Sequence, residues 1–184
     1  TSIEKGAKAE VVLDQTPFYG EAGGQVGDTG WLLNGGVRFR VTNTLKYNQD
    51  LIVHKGYLEA GILSIGAKMD ARVDQDRRNA TALNHSATHL LHAALREVLG
   101  DHVKQAGSMV SPDRLRFDFS HFTQVAPEKL MEVERLVNRH IRDNVLVDTT
   151  ELSKEEAMKS GAMAIFEERY GDRVRLVRIG DGIS

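Results

Sequence analysis

The sequence predicts an α+β fold: a β-rich, barrel-like N-terminal subdomain over residues 1–76, then an α/β two-layer core over residues 77–184. Three observations carry this expectation. Short alternating runs separated by glycines fill the first part, with Gly20, Gly23, Gly24, Gly27, Gly30, Gly35, Gly36, Gly56, Gly61 and Gly66 within it. Many short strands with Gly turns suggest a small barrel or sandwich. From about Gln75 the apolar period changes to that of a helix. Further on, "RLRFDFS" returns to alternation and is followed by a second helical stripe.

In chain order, "AEVVLD" reads as a strand. "VRFRV" alternates, with Val37, Phe39 and Val41 on one face and Arg38 and Arg40 on the other. "LIVHKG" and "MDARVD" are short strands between turn signals. Leu83, Ala87, Leu90, Leu91, Ala94, Leu95 and Val98 recur at helical spacing, and Gly100 ends the run. In "RLRFDFS", Leu115, Phe117 and Phe119 face a core. A helix then begins near Pro127, a residue suited to a first turn, with the stripe Leu130, Val133, Leu136, Val137 and Ile141. "LVDTT" is a strand candidate. Ser153 with Glu156 forms a capping box for a short helix, Gly161 suits its C′ position, and "RVRLVRI" is a last strand. The expected boundary lies near Asp76 to Asn79.

Composition limits the functions available. The 184 residues carry a net charge of -2 and 41% hydrophobic residues, enough for a core. With no global basic field, any nucleic-acid contact must come from a local patch. There is no Cys, so neither a disulfide nor a thiolate zinc site can be built from these residues. No apolar run reaches about 18 residues, as a membrane helix requires, and "TSIEKGAKAE" lacks a signal peptide's apolar centre. The expectation is a soluble, cytoplasmic protein without a membrane partner.

"NHSATHLLHAAL" places His85, His89 and His92 on one helix, away from its apolar side. His85 and His89, at i and i+4, lie one turn apart and could share a metal ion. A solvated polar face is the plainer alternative. A zincin needs Glu directly after the first His; Ser86 stands there. "TPFYGEAGGQVGDTG" is neither a P-loop nor a dinucleotide fingerprint. It is either a tight turn needing positive φ or a loop whose backbone lets a substrate come close.

Taken together, "TPFYGEAGGQVGDTG", "LNHSATHLLHAALREVLGDHVKQAGSMV", "RLRFDFSHF" and "GAMAIFEERYGDRVRLVRIGD" resemble the editing domain of bacterial alanyl-tRNA synthetases, which is related to the freestanding AlaX proteins. The resemblance implies an editing core similar to that in threonyl-tRNA synthetases. It implies a deacylase that hydrolyses tRNA(Ala) mischarged with serine or glycine, inside a parent that joins alanine to tRNA(Ala) using ATP. It implies zinc held by His85 and His89, with two more ligands, a Cys and a His, beyond Ser184. Thr88, Gln105 and Ser108 become the catalytic candidates, and Gly23, Gly24, Gln25 and Asp28 the substrate-binding ones. Partners are tRNA(Ala) and the remaining domains of the parent. A non-catalytic tRNA-binding module and a metal-binding structural domain are the alternatives.

The chemistry implied is ester hydrolysis. It needs a positioned water and stabilisation of charge on the carbonyl oxygen, and no protein nucleophile. A Thr hydroxyl on a stiff side chain suits recognition of a serine hydroxyl. His92 is expected at the surface or behind the ligands, and His121 and His140 at the surface. Arg77, Arg78, Arg114, Arg116, Arg173, Arg175 and Arg178 are candidates for tRNA phosphate or plain solvated positions.

Overall fold

A computed structural model describes residues 2–48, 51–159 and 173–179. The chain divides into two compact units, 1–85 with 108–116 and 86–107 with 117–184. Gly161 and the rest of the block over 160–172 lie outside the described residues.

The first unit is built on strands β1 (Ser2–Glu4), β2 (Lys8–Val12), β3 (Gly30–Asn34), β4 (Val37–Tyr47), β5 (Leu51–Ala60), β6 (Ile62–Ser64) and β7 (Asp70–Val73). Five of them form an antiparallel sheet in the order β2-β5-β4-β3-β7, and β1 pairs with β6. β2 and β7 stand at the ends of the order, and among the described residues no pairing between them closes a ring.

The alternation of "VRFRV" places its apolar residues as expected. Phe39 and Val41 are fully buried with Leu32 and Leu58, Phe18 and Leu63 complete the cluster, and Val37 packs against it. β4 and β5 approach closely at Gly56, where a Cβ would meet the Arg40 carbonyl oxygen at 1.8 Å. Only glycine fits there. β3, β1 and β6 were not foreseen. "GWLLN" gives no clean alternation because Trp31 and Leu33 occupy its outer positions.

Helix α1 (Gln75–Leu99) is continuous and contributes to both units. It is followed by the hairpin β8 (Gln105–Val110) and β9 (Leu115–Phe119), whose turn is tied by the Ser111 N–H to the Arg114 carbonyl at 3.0 Å. Then come α2 (Pro127–Asp143), β10 (Val147–Ser153), α3 (Lys154–Lys159) and β11 (Arg173–Ile179), with β10 and β11 antiparallel.

The core of the second unit is Ala94, Leu95, Val103, Val133 and Leu136. Leu91, Val98, Leu99, Phe117, Phe119 and Val137 pack against it. The helical stripes are therefore shorter than their periodicity suggested. Leu83 is 73% exposed, and Leu130 and Ile141 are each 51% exposed. Pro127 begins α2, which ends on Asn144 in the left-handed region, its N–H bonded to the Ile141 carbonyl. Asn takes that conformation more readily than most residues. The capping box forms: the Glu156 N–H donates to Ser153 Oγ at 3.2 Å, and the Ser153 N–H donates to Glu156 Oε2 at 3.1 Å. Among the described residues no helix is long and apolar enough to cross a membrane.

Candidate functional site

The glycine stretch folds as a tight turn. Ala22 and Gln25 exchange backbone hydrogen bonds at 3.3 and 3.0 Å around Gly23 and Gly24, with φ of 59° and 83°. Two successive positive φ values mark the turn type that glycine permits. The turn then runs alongside the end of β8. The Val26 N–H donates to the Val110 carbonyl at 3.0 Å, and the Val110 N–H donates to the Gly24 carbonyl at 2.8 Å. A Cβ on Gly24 would lie 2.4 Å from the Ser108 carbonyl oxygen. Two separate constraints thus require glycine at 24.

This docking brings Gln25 to His85. His85 Nδ1 and Gln25 Oε1 are 2.6 Å apart. A carbonyl oxygen only accepts, so Nδ1 carries the proton and Nε2 is the ring's acceptor nitrogen. Asn84, one residue earlier on α1, donates from Nδ2 to the Ser111 and Pro112 carbonyls at 2.9 and 3.1 Å. That contact fixes the helix against the β8–β9 turn, and sequence reasoning did not find it.

Asp28 is 7% exposed and its carboxylate is heavily engaged. It accepts the Tyr19 N–H at 2.6 Å and pairs with the Arg78 guanidinium through both oxygens. Arg78 also donates to the Pro17 carbonyl at 2.7 Å, and Thr44 Oγ1 donates to the Asp28 carbonyl at 2.8 Å. Asp28 and Arg78 therefore clasp the two ends of the glycine loop. Burial, and then the Asp28 charge, push the Tyr19 phenol above its ordinary value.

The first unit thus gathers Gly23, Gly24, Gln25, Asp28, His85 and Ser108. Within it, Gly24 meets Ser108 and Gln25 meets His85. Thr88, His89 and Gln105 belong to the second unit, where Thr88 is buried at 6% exposure and the other two are half-buried. His92, expected at the surface or behind the ligands, is not at the surface. It is 4% exposed, its Nε2–H reaches the Val103 carbonyl at a long 3.5 Å, and its ring lies 5.1 Å from that of Phe117. The physical reason is the width of the apolar stripe: Leu91 and Leu95 flank it and carry it inward. Burial lowers the His92 pKa. His121 is not an isolated surface residue either, since His102 Nε2 and His121 Nδ1 are 2.8 Å apart.

His85 and His89 stand four residues apart in α1, one in each unit. A stable zinc site takes three or four protein ligands. Among the described residues no group of three or more His, Asp or Glu is gathered for one ion. The described residues therefore do not complete a zinc site.

Residues 1–77 match the family model of class II (A) tRNA synthetases. Along the whole chain the similarity is to alanine–tRNA ligases. That of Methylococcus capsulatus is 58% identical over 97% of this chain and 21% of its own length. That of Halorhodospira halophila is 54% identical over 97% and 21%. That of Pseudomonas entomophila is 52% identical over 99% and 21%.

The chain spans about a fifth of the length of these relatives. The expectation of an editing domain, and of a deacylase acting on tRNA(Ala) mischarged with serine or glycine, is corrected here. The matching model is that of the class II synthetases, and the relatives are named as ligases. The four sequence blocks that suggested editing are present, but blocks identify a relative more surely than they divide its activities among its domains.

Proposed function

We propose that this chain is a segment of an alanine–tRNA ligase that takes part in attaching alanine to tRNA(Ala) in the cytoplasm. The observation that carries the reading is the 58% identity to the Methylococcus capsulatus alanine–tRNA ligase across 97% of the chain. The synthetase model over residues 1–77 supports an aminoacylation role for that part. Those residues hold the five-stranded sheet and the glycine turn. In this reading the segment supplies a rigid sheet and a docked turn to the larger enzyme, and its partners are tRNA(Ala) and the rest of the ligase.

The test is alanine attachment to tRNA(Ala) by the complete parent, with ATP and alanine supplied. The parent is expected to charge tRNA(Ala), and the same parent with Phe39→Ala, which removes the centre of the sheet's core, is expected to lose most of that activity. A pure, folded parent that charges no tRNA with alanine would overturn the reading.

A narrower proposal concerns metal. His85 and His89 are offered as two ligands of a zinc ion whose remaining ligands come from outside the described residues. Calorimetric titration with zinc checks it without any enzyme assay. Weak binding that disappears in His85→Ala and His89→Ala is expected, and binding that survives both changes would discard the pair. The deacylase roles of Thr88, Gln105 and Ser108, and the substrate contacts of Gly23, Gly24, Gln25 and Asp28, came with the editing resemblance and are not carried further.

A further inference from the structure

Three side chains of the first unit bury a polar atom that has no hydrogen-bond partner among the described residues: Thr29 Oγ1, Trp31 Nε1 and Arg40 Nη1. All three can donate. They are neighbours, Thr29 just before β3 and the other two within the sheet. Thr29 stands two residues before Trp31, and Trp31 lies directly opposite Arg40 across the β3–β4 ladder. Buried donors without acceptors are costly and rare.

Around them the outer face of the sheet is basic and aromatic. Trp31 is flanked in register by Arg40 on β4 and by Arg72 on β7. The Arg40 guanidinium lies over the indole at 4.0 Å from the ring centroid, and that of Arg38 lies 5.8 Å from it. Arg38 and Arg40 sit two residues apart on one face of β4, about 6–7 Å along the strand. That step is close to the spacing of successive phosphates in a nucleic-acid chain.

An open groove of about 890 Å³ continues from this face, lined in part by Gly35, Gly36, Arg38, Lys68 and Arg72. Each arginine has a carboxylate partner. Arg72–Asp70 at 2.7 Å is an exposed pair, Arg38–Glu59 at 2.6 Å is exposed on its arginine side, and Arg40–Asp74 is stretched to 4.0 Å. Exposed pairs are worth only about 0–1 kcal/mol, so a phosphate group can take their place.

We propose that this face, centred on Trp31 and Arg40, docks the phosphodiester backbone of an RNA strand. The guanidiniums of Arg38, Arg40 and Arg72 take phosphates, and the indole offers a stacking surface to a neighbouring base. The Arg40 side chain keeps 24% exposure. Turning its guanidinium outward frees its own Nη1 and uncovers the indole N–H for an acceptor. The net charge of -2 is no obstacle, because the donors are concentrated on one sheet face. This inference rests on the reading above for its RNA, since the relatives are tRNA ligases.

Trp31 is the chain's single tryptophan, so its fluorescence reports on this face alone. The experiment titrates the full 184-residue chain with a tRNA(Ala) transcript at several salt concentrations. ATP and pyrophosphate serve as separate arms at matched phosphate, and thermal melting checks the fold of each variant. The tRNA is expected to quench Trp31. Arg40→Gln with Arg72→Gln is expected to weaken binding at least about tenfold and to reduce the salt slope by about 2, close to one unit per lost phosphate contact. Arg72→Gln alone, at a 66% exposed side chain, is expected to fold normally and show about half the slope change.

Binding with unchanged affinity and slope in these variants overturns the proposal. So does binding without quenching, or equal competition by ATP, which would mark a nucleotide site. Absence of tRNA binding by the wild-type chain overturns it too. A parent that still charges tRNA(Ala) in any of these cases leaves the ligase reading standing.

Discussion

His54 in the first unit and His92 in the second are both buried, yet they are held in different ways. His54 is fully enclosed, with Nδ1–H donating to the Val11 carbonyl at 2.9 Å and Nε2 accepting from Thr16 Oγ1 at 2.8 Å. Phe18 meets its ring edge-on. His92 has one long bond and leans on Phe117. The first is a satisfied polar pin between loop and strand. The second is closer to an aromatic space-filler with one polar tie. Burial lowers the pKa of both rings, but only His54 loses two good hydrogen bonds if it is replaced. Each unit also has its own apolar cluster, Phe18, Leu32, Phe39, Val41, Leu58 and Leu63 in the first and Ala94, Leu95, Val103, Val133 and Leu136 in the second.

The largest effect that sharpens this contrast is expected from core truncation. Phe39→Ala should cost about 3–5 kcal/mol, and Leu95→Ala about 2–5 kcal/mol. Hydrogen exchange should then show protection lost first in β3, β4 and β5 for Phe39→Ala, and first in α2 for Leu95→Ala. Identical loss everywhere in both variants would mean that the units do not behave separately.

Next in size is the clasp of the glycine loop. Arg78→Met leaves the buried Asp28 carboxylate without its cation and should cost about 1–3 kcal/mol. Adding Asp28→Asn should recover part of that loss, giving a clear coupling energy in a double-mutant cycle. Additive costs would show that the pair is incidental.

The histidines predict a pH dependence. Each has a folded pKa below the unfolded value of about 6.5. The unfolded state therefore takes up protons first as pH falls. The stability that depends on the neutral rings is fully present above about 6.5 and declines below it, towards the folded pKa. Urea midpoints at pH 7.5 and 5 should differ, and His92→Gln should reduce the difference. No reduction would assign the acid loss to His54 or to other groups. The smallest effect is at α3, where Ser153→Ala should cost about 1 kcal/mol by removing the cap. A cost near zero would show that the box is not used.

The parts of this fold that the sequence announced are those where one physical signal dominated. Phe39 and Val41 alternate cleanly and are buried, and Ser153 with Glu156 forms the box its spacing implies. Leu83 and Leu130 misled because periodicity shows which face is apolar, not how far along a helix a partner reaches. β3 was missed because Trp31 on its outer side masks alternation, although that ring packs on Arg40 instead of a core. At the candidate site, the positive φ of Gly23 and Gly24 was legible. The Gln25–His85 contact, across 60 residues, was not, since no local pattern encodes it. Function was misjudged for a related reason: the motif blocks pointed to ligases that the chain does resemble, but to a deacylase activity that the matching synthetase model does not support.

The most direct measurement exchanges this segment between proteins. The matching stretch of the Methylococcus capsulatus alanine–tRNA ligase, 58% identical, is replaced by this chain, and alanine attachment to tRNA(Ala) is measured. If the chain is an alanine–tRNA ligase segment, the chimera should charge tRNA(Ala) within about tenfold of the parent, or about 1.4 kcal/mol in the barrier. A chimera that folds, binds tRNA(Ala) and attaches no alanine would contradict the account.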